Sequence, residues 1–316
     1  MQKPRILAVG SAYTDFYIKT DRIPSQNQSV VGDRYDYLPG GRGVYSALTF
    51  NNLGAECIFC AKLGADTHGS RLKSYLENRG IDTRFIVSDR GFQTGLNAVI
   101  YETGSPGRSI IYPGANRRLR PDDAEEAFTA YPDALYIMTD LPPATVAAAS
   151  SFAHMQGVPS FVDASYTGAA DREFPLEQLE PVEIFITDEA AALAFTGIAP
   201  SDSEKSMRCC LALTQRIQAG YIVIRLGARG LFLYDGTYYK IIAPYDVQPV
   251  DPLAAGDAFS AALTLEYLRS RDIKRACEYA NIVGTITLSR PGGASSIPTA
   301  DEIAMFIEHN EIEFIL

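Results

Sequence analysis

From about residue 120 onward the sequence alternates short apolar runs with stretches of helical period, and this alternation restricts the fold more than any other feature. The runs lie at 134–139 (ALYIMT), 159–164 (PSFVDA), 183–187 (EIFIT), 221–227 (YIVIRLG) and 230–236 (GLFLYDG). Helical patterns fill the gaps at 145–157, 189–197 and 206–220, and two more follow at 256–271 and 273–290. Strands that read apolar on both faces must be buried on both faces. Parallel strands also need a crossover, which a helix supplies. The expected class is therefore α/β, a three-layer α/β/α sandwich around a mostly parallel sheet. Ligands of such sheets bind at the carboxyl ends of the strands.

The first third of the chain departs from this rhythm. Residues 5–10 (RILAVG) read as one more buried strand, and 56–64 and 70–80 as a strand and a helix. A helix beginning near Tyr45 ends on Gly54. Between these, residues 11–45 alternate aromatic or β-branched residues with polar ones, the mark of half-exposed strands. Residues 94–112 read as a hairpin turning at 104–107, Gly-Ser-Pro-Gly. Neither piece is long enough to fold alone. We expect one small sheet built from two excursions, 11–45 and 94–115, set as a lid over an α/β body of 1–10, 46–93 and 116–316.

Composition removes several functions. The net charge is −10, where a binder of nucleic acid or anionic membrane needs a basic face. Five cysteines in 316 residues make no disulfide framework. Cys57 and Cys60 have CxxC spacing inside a strand pattern, which reads as buried thiols or, less simply, a metal or redox pair. His68, His154 and His309 lack ligand spacing. No apolar run approaches membrane length and no signal-peptide core is seen, so a cytoplasmic setting is expected.

The motif with most chemistry is Val250-Asp251-Pro252-Leu253-Ala254-Ala255-Gly256-Asp257-Ala258-Phe259. Small residues directly before a helix leave unpaired N–H groups open to an anion, at the positive end of the dipole. Asp257 at the mouth of that nest is either a proton acceptor for a hydroxyl or a capping residue. No G-x-G-x-x-G follows the first strand and no Walker A motif occurs, which disfavours dinucleotide and P-loop sites.

Here the sequence resembles the ribokinase-like (PfkB) carbohydrate kinases, whose late signature reads D-T-x-[GA]-A-G-D-x-F. The resemblance covers nearly the whole chain. It implies an ATP- and Mg²⁺-dependent sugar kinase with Ala254, Ala255 and Gly256 as the anion hole and Asp257 as general base. Gly40-Gly41-Arg42-Gly43 matches the G-G element, and Asp15 the sugar-binding acid after the first strand. Leu63-Gly64-Ala65-Asp66 with Gly69 matches a G-x-D-x-x-G turn, and Gly114-Ala115-Asn116 the close of the lid hairpin. The implied sugar contacts are Asp15, Tyr13, Gly40, Gly41, Arg42, Tyr45 and Asp140. The implied nucleotide contacts are Asp188, Arg225, Gly227, Gly230 and Asn281. The resemblance also implies a monovalent-cation site, for K⁺, in a late loop holding Asp251, Arg290, Gly292 and Ser296, and a Mg²⁺ contact at Glu189. Relatives pair their lids, which implies a homodimer.

Several positions depart from the family pattern. An N-x-x-E element becomes Asp188 and Ala191, the Thr of T-x-G-x-x-G becomes Arg225, and the signature Thr becomes Pro252. Arg42 and Arg225 read as contacts to sugar or phosphate, or as solvated loop charges; Asn281 reads as an adenine neighbour or a helix-surface residue. Tyr13 and Tyr45 stand where ribokinases carry sugar-binding Asn, which favours a substrate other than ribose. The alternatives are a nucleoside kinase of the same fold and a catalytically weakened ligand-binding relative.

Overall fold

The computed structural model describes residues 3–102, 107–165 and 174–314. In chain order β1 (Arg5–Val9) is followed by β2 (Tyr13–Thr20), β3 (Arg34–Gly40), α1 (Arg42–Asn52), β4 (Glu56–Gly64), α2 (Thr67–Glu77), β5 (Ile86–Asp89), β6 (Gly95–Glu102) and β7 (Arg108–Tyr112). Next come α3 (Pro121–Glu126), β8 (Ala134–Met138), α4 (Pro143–Met155), β9 (Ser160–Asp163), β10 (Val182–Asp188), α5 (Glu189–Thr196) and α6 (Ser203–Leu213). The chain closes with β11 (Ala219–Arg225), β12 (Leu231–Tyr234), β13 (Tyr239–Ile242), α7 (Ala255–Ser270), α8 (Ile273–Leu288) and α9 (Ala300–His309).

The large sheet runs β13-β12-β11-β10-β9-β8-β1-β4-β5. Its pairs are parallel from β11 to β5 and antiparallel at β11–β12 and β12–β13. Apolar runs alone do not encode strand direction. Too few residues separate β11 from β12 for a crossover, so the second strand must turn back.

Strand pleating divides the core in two. Ile6, Ala8, Phe59, Tyr136 and Ile184 face one layer, packed with residues of α1, α7 and α8. Their neighbours Leu7, Val9, Ile58, Leu135 and Phe185 face the other, packed with α3, α4 and α6. The CxxC residues fall on opposite sides, Cys57 in the first layer and Cys60 in the second. All five cysteines are free and buried. Three residues along a strand reverse the face, so this spacing cannot bring the two thiols together.

The small sheet has the order β3-β2-β6-β7. Its register separates two faces. Asp15 lies opposite Leu38 and Asn97, whereas Phe16 lies opposite Tyr37 and Ala98. The face with Asp15, Tyr17, Asn97 and Tyr101 turns to the body; Asp15 is wholly buried, and the Tyr101 hydroxyl reaches Asp251 at 2.6 Å. The opposite face is apolar and open, with Tyr35 65%, Tyr37 50% and Ile110 70% exposed. The turn expected at 104–107 falls on residues outside the described set, apart from Gly107.

Two side chains fasten this sheet at its roots. Asn116 accepts from Ala12 N and donates to Ala12 O and Pro113 O, each at 2.8 Å. Asp66 caps α2 through Gly69 N at 2.8 Å and also takes the Thr94 amide and hydroxyl, at 2.8 and 2.7 Å. Burial would raise the Asp66 carboxyl, but these hydrogen bonds outweigh it and hold the group below its ordinary range.

Candidate active site

The carboxyl edge of the parallel strands presents one polar residue per strand. Arg225 ends β11, Asp188 ends β10 and Asp163 ends β9; Asp140 follows β8 by two residues and Ser11 follows β1. The start of α7 faces this row. Ala254 caps that helix with φ 68°, and no side chain takes the first-turn N–H groups. A left-handed conformation is strained for a residue bearing Cβ. Such strain at an uncapped helix start is consistent with a site that takes an anion.

Asp257, in the first turn of α7, is 14% exposed at its side chain and meets Arg42 Nε at 3.1 Å. Burial pushes its carboxyl up to about 6, with Arg42 pulling down and Asp163 pushing up. Arg42 opens α1 directly after Gly41, whose φ of 101° suits only glycine. Gly43 must also be bare, because its Cβ would lie 2.7 Å from Gly10 and Ser11 backbone. This close approach of α1 to the end of β1 carries the arginine into the site. Its Nη2 meets Asp163 at 2.6 Å and its Nη1 donates to Ser165 O at 3.2 Å. Arg42 is therefore a largely shielded ion-pair partner, 12% exposed at its side chain, not a solvated loop charge.

Toward the small sheet, the Tyr45 hydroxyl donates to Asp15 Oδ2. Gly40 packs directly on that carboxylate, so a Cβ there would collide with it. Burial raises the Asp15 carboxyl to about 7 although the Tyr45 hydrogen bond opposes this. Asp140 accepts from Ser11 Oγ at 2.5 Å. Tyr13 is buried with its ring against Gly95. Four buried atoms here have no protein partner: Asp15 Oδ1, Asn97 Oδ1, Asp140 Oδ1 and the Tyr17 hydroxyl.

On the other side of Asp257 lies an open cleft of about 820 Å³. Asp188, Glu189, Arg225, Gly227, Gly230, Gly256 and Asn281 contribute to its walls. Asp188 also caps α5 through Ala191 N at 2.8 Å. The Arg225 guanidinium donates to Ser165 Oγ, while its Nε and Nη1 are buried without acceptors. It lies against Gly256, where any Cβ would fall 2.2 Å from Nη1. Asn281 donates to Ala243 O at 2.7 Å.

The late loop is tied internally. Asp251 accepts from Tyr101, from Leu253 N at 3.0 Å and from Gly292 N at 3.0 Å. Ser296 Oγ donates to Gly293 O at 2.7 Å. Arg290 pairs with Glu302 at 2.7 Å, and Glu189 with Arg229 at 2.7 Å. No group of three or more metal-ligating side chains occurs among the described residues. Sequence reasoning missed Asp163, Tyr136, Asn97 and Tyr101. Its only available signal for Asp163 was an acid closing a buried strand.

The chain is similar to a Haemophilus influenzae ribokinase, with 26% identity over 96% of this chain and 98% of that protein. It superposes on Arabidopsis thaliana ribokinase complexed with ribose and ATP with a TM-score of 0.85 and 22% identity, covering 98% and 99% of the two chains. A candidate ribokinase II from E. coli, in complex with ATP and Mg²⁺, gives a TM-score of 0.79 and 20% identity over 98% and 100%. Residues 3–300 match the family model described as pfkB family carbohydrate kinase. On that match the chain belongs to the pfkB family of carbohydrate kinases, and it is a sugar kinase.

Proposed function

We propose that this kinase transfers the γ-phosphate of ATP to a hydroxyl of a neutral sugar, with Asp257 as the general base. One observation carries the reading: Asp257 is largely shielded at the uncapped start of α7, between a cluster of unpartnered buried polar atoms and an open cleft. Three of those four atoms are acceptors, Asp15 Oδ1, Asn97 Oδ1 and Asp140 Oδ1. They call for a ligand rich in O–H donors. A nucleoside would instead need an apolar slot for its base beside that pocket, so the set favours a sugar.

The cleft suits a nucleotide. Asn281 stands at one end, and the α7 amides with the free N–H groups of Arg225 stand at the other. ATP would supply the phosphoryl group, and Mg²⁺ would neutralise charge on its oxygens. The ion needs no cage of protein ligands, since Mg²⁺ keeps several waters and binds chiefly through phosphates; Glu189, Asp246 and Asp188, the last of which also caps α5 and lies 3.9 Å from Arg225, are the carboxylates of the cleft wall that would face it. Asp257 takes the proton of the acceptor hydroxyl as that oxygen attacks. The Ala254–Gly256 backbone receives the charge that develops. The small sheet, segments 11–45 and 94–115, excludes water above the acceptor. A K⁺ held at the late loop would be linked to the small sheet through the hydrogen bond of Tyr101 to Asp251.

The outer face of that sheet exposes Tyr35, Tyr37 and Ile110, and the gain from covering them supports a homodimer through the lids. Ile110→Asp should convert a dimer to a monomer in sedimentation. Free thiols support a cytoplasmic setting. Among the described residues no helix is long and apolar enough to cross a membrane.

The test is a panel of sugars, sugar acids and nucleosides read by thermal shift with an ATP analogue and by ADP release with ATP. A neutral sugar should raise the melting temperature and release ADP, and Asp257→Asn should keep the thermal shift while turnover falls by about 10²–10⁴. Nucleosides alone giving both signals would favour the nucleoside kinase, and binding without ADP release a non-catalytic relative.

A further inference from the structure

Asp163 closes β9 with a wholly buried carboxylate, and no motif gives it a task. One oxygen lies 2.6 Å from Arg42 Nη2 and accepts from Ser165 N at 3.0 Å and Ser165 Oγ at 2.5 Å. The other accepts from the Tyr136 hydroxyl at 3.1 Å. The Arg42 guanidinium thus makes three contacts: hydrogen bonds to the Ser165 carbonyl from Nη1 and to Asp257 from Nε, and an ion-pair contact of Nη2 with Asp163 that lacks hydrogen-bond alignment. A carboxylate alone with an arginine takes it through two parallel hydrogen bonds. Such a carboxylate is a poor base, because the full cation stabilises its charged form.

We propose that Asp163 is a positioning residue for the base: it claims the far end of the Arg42 guanidinium, which fixes the direction of Asp257 and leaves the cation shared between two carboxylates. The inference rests on the reading of Asp257 as the base. The two carboxyls respond oppositely to one arginine. Burial would raise Asp163, but Arg42 and Arg225 hold it well below the ordinary range. Burial raises Asp257 to about 6, and there the opposing pull of Arg42 falls short. Among the described residues, the other charged or titratable groups bearing on these three are Arg225, Asp140, Asp15, Tyr13, Tyr45 and Tyr136.

The sign follows from the charges. Neutralising Asp163 removes a repulsive charge and releases Arg42 wholly to Asp257, so the base titrates at lower pH. Removing Arg42 withdraws a cation, so the base titrates at higher pH. The experiment is an NMR titration of the aspartate carboxyl carbons in the full-length protein without ligands, with Asp257 assigned by its loss in Asp257→Asn. Asp163→Asn should lower the Asp257 midpoint by about one pH unit or more, and Arg42→Met should raise it by a similar amount. Tyr136→Phe, which loosens Asp163 without changing charge, should give a smaller downward shift and serves if Asp163→Asn does not fold. An unmoved midpoint in Asp163→Asn, or in Tyr136→Phe where that variant must serve, overturns the inference; so does a shift in the same direction for Asp163→Asn and Arg42→Met. Near-normal ADP release by Asp257→Asn removes the base reading itself. Loss of turnover there with an unmoved midpoint in Asp163→Asn removes only the role of Asp163.

Discussion

The two halves of the site differ in how they are made. The half under the small sheet is a closed arrangement of side chains: Asp15, Tyr45, Tyr17, Asn97 and Asp140, each fixed by a neighbour or left with one free atom. The cleft half is open, and the glycines and alanines at 227, 228, 230, 255 and 256 share its walls with the side chains of Asp188, Glu189, Asp246, Arg225 and Asn281. Side-chain recognition fails abruptly when an atom is changed, because a buried partner is left unsatisfied. Backbone recognition degrades gradually and tolerates substitution. The departures from the family pattern at 225 and 252 border the tolerant half, and the tyrosines at 13 and 45 stand in the exacting one.

The largest effect should come from the closed half. Asp15→Asn removes an acceptor from the pocket and should cut kcat/KM for the sugar by about 10²–10³. The same variant should be more stable than the native protein. The Asp15 carboxyl rises from its ordinary 3.8 to about 7 on folding. The folded chain therefore favours the protonated form, and stability drains as pH climbs between those two values. Removing the titration should raise the melting temperature, more at mildly alkaline than at mildly acidic pH. A melting temperature that does not rise would mean that Tyr45 already offsets the burial.

Next in size is the seam between the halves. Gly256→Ala drives a methyl group into the Arg225 guanidinium. Turnover should fall about 10–10²-fold while thermal stability changes little; unchanged turnover would mean that the arginine moves aside freely. On the open side, Asn281→Ala should raise KM for ATP only a few-fold and leave kcat alone. A loss of kcat there would show the cleft to be as exacting as the pocket. The smallest effect concerns the strained cap. Ala254→Gly relieves φ 68° and should stabilise the chain by about 1 kcal/mol, measured by denaturant unfolding, with activity retained.

These sites were unequally legible in the sequence. Most body strands announced themselves because burial on both faces forces apolar runs, and α7 because its first turn must be small; the short, partly exposed edge strands β5 and β13 carry no such run and went unread. The reversal at β12 was hidden, since periodicity has no direction. The ends of the ion-pair chain were visible as Arg42 and Asp257, 215 positions apart, but their joint partner was not. Asp163 belongs to no local pattern; its meaning comes from β9 lying between β8 and β10 in the sheet. The same holds for Tyr101, whose partner Asp251 lies 150 residues away.

The alternation of the small sheet has a consequence for how such a chain can change over generations. Asp15 and Phe16 are neighbours in sequence but serve opposite faces, one buried and polar against the body and one apolar and open. Losing one residue from β2 would exchange those faces along the rest of the strand, sending Phe16 toward the pocket and the acid outward. Lineages of this small sheet can therefore lengthen or shorten its strands only two residues at a time, unless a bulge absorbs the odd one.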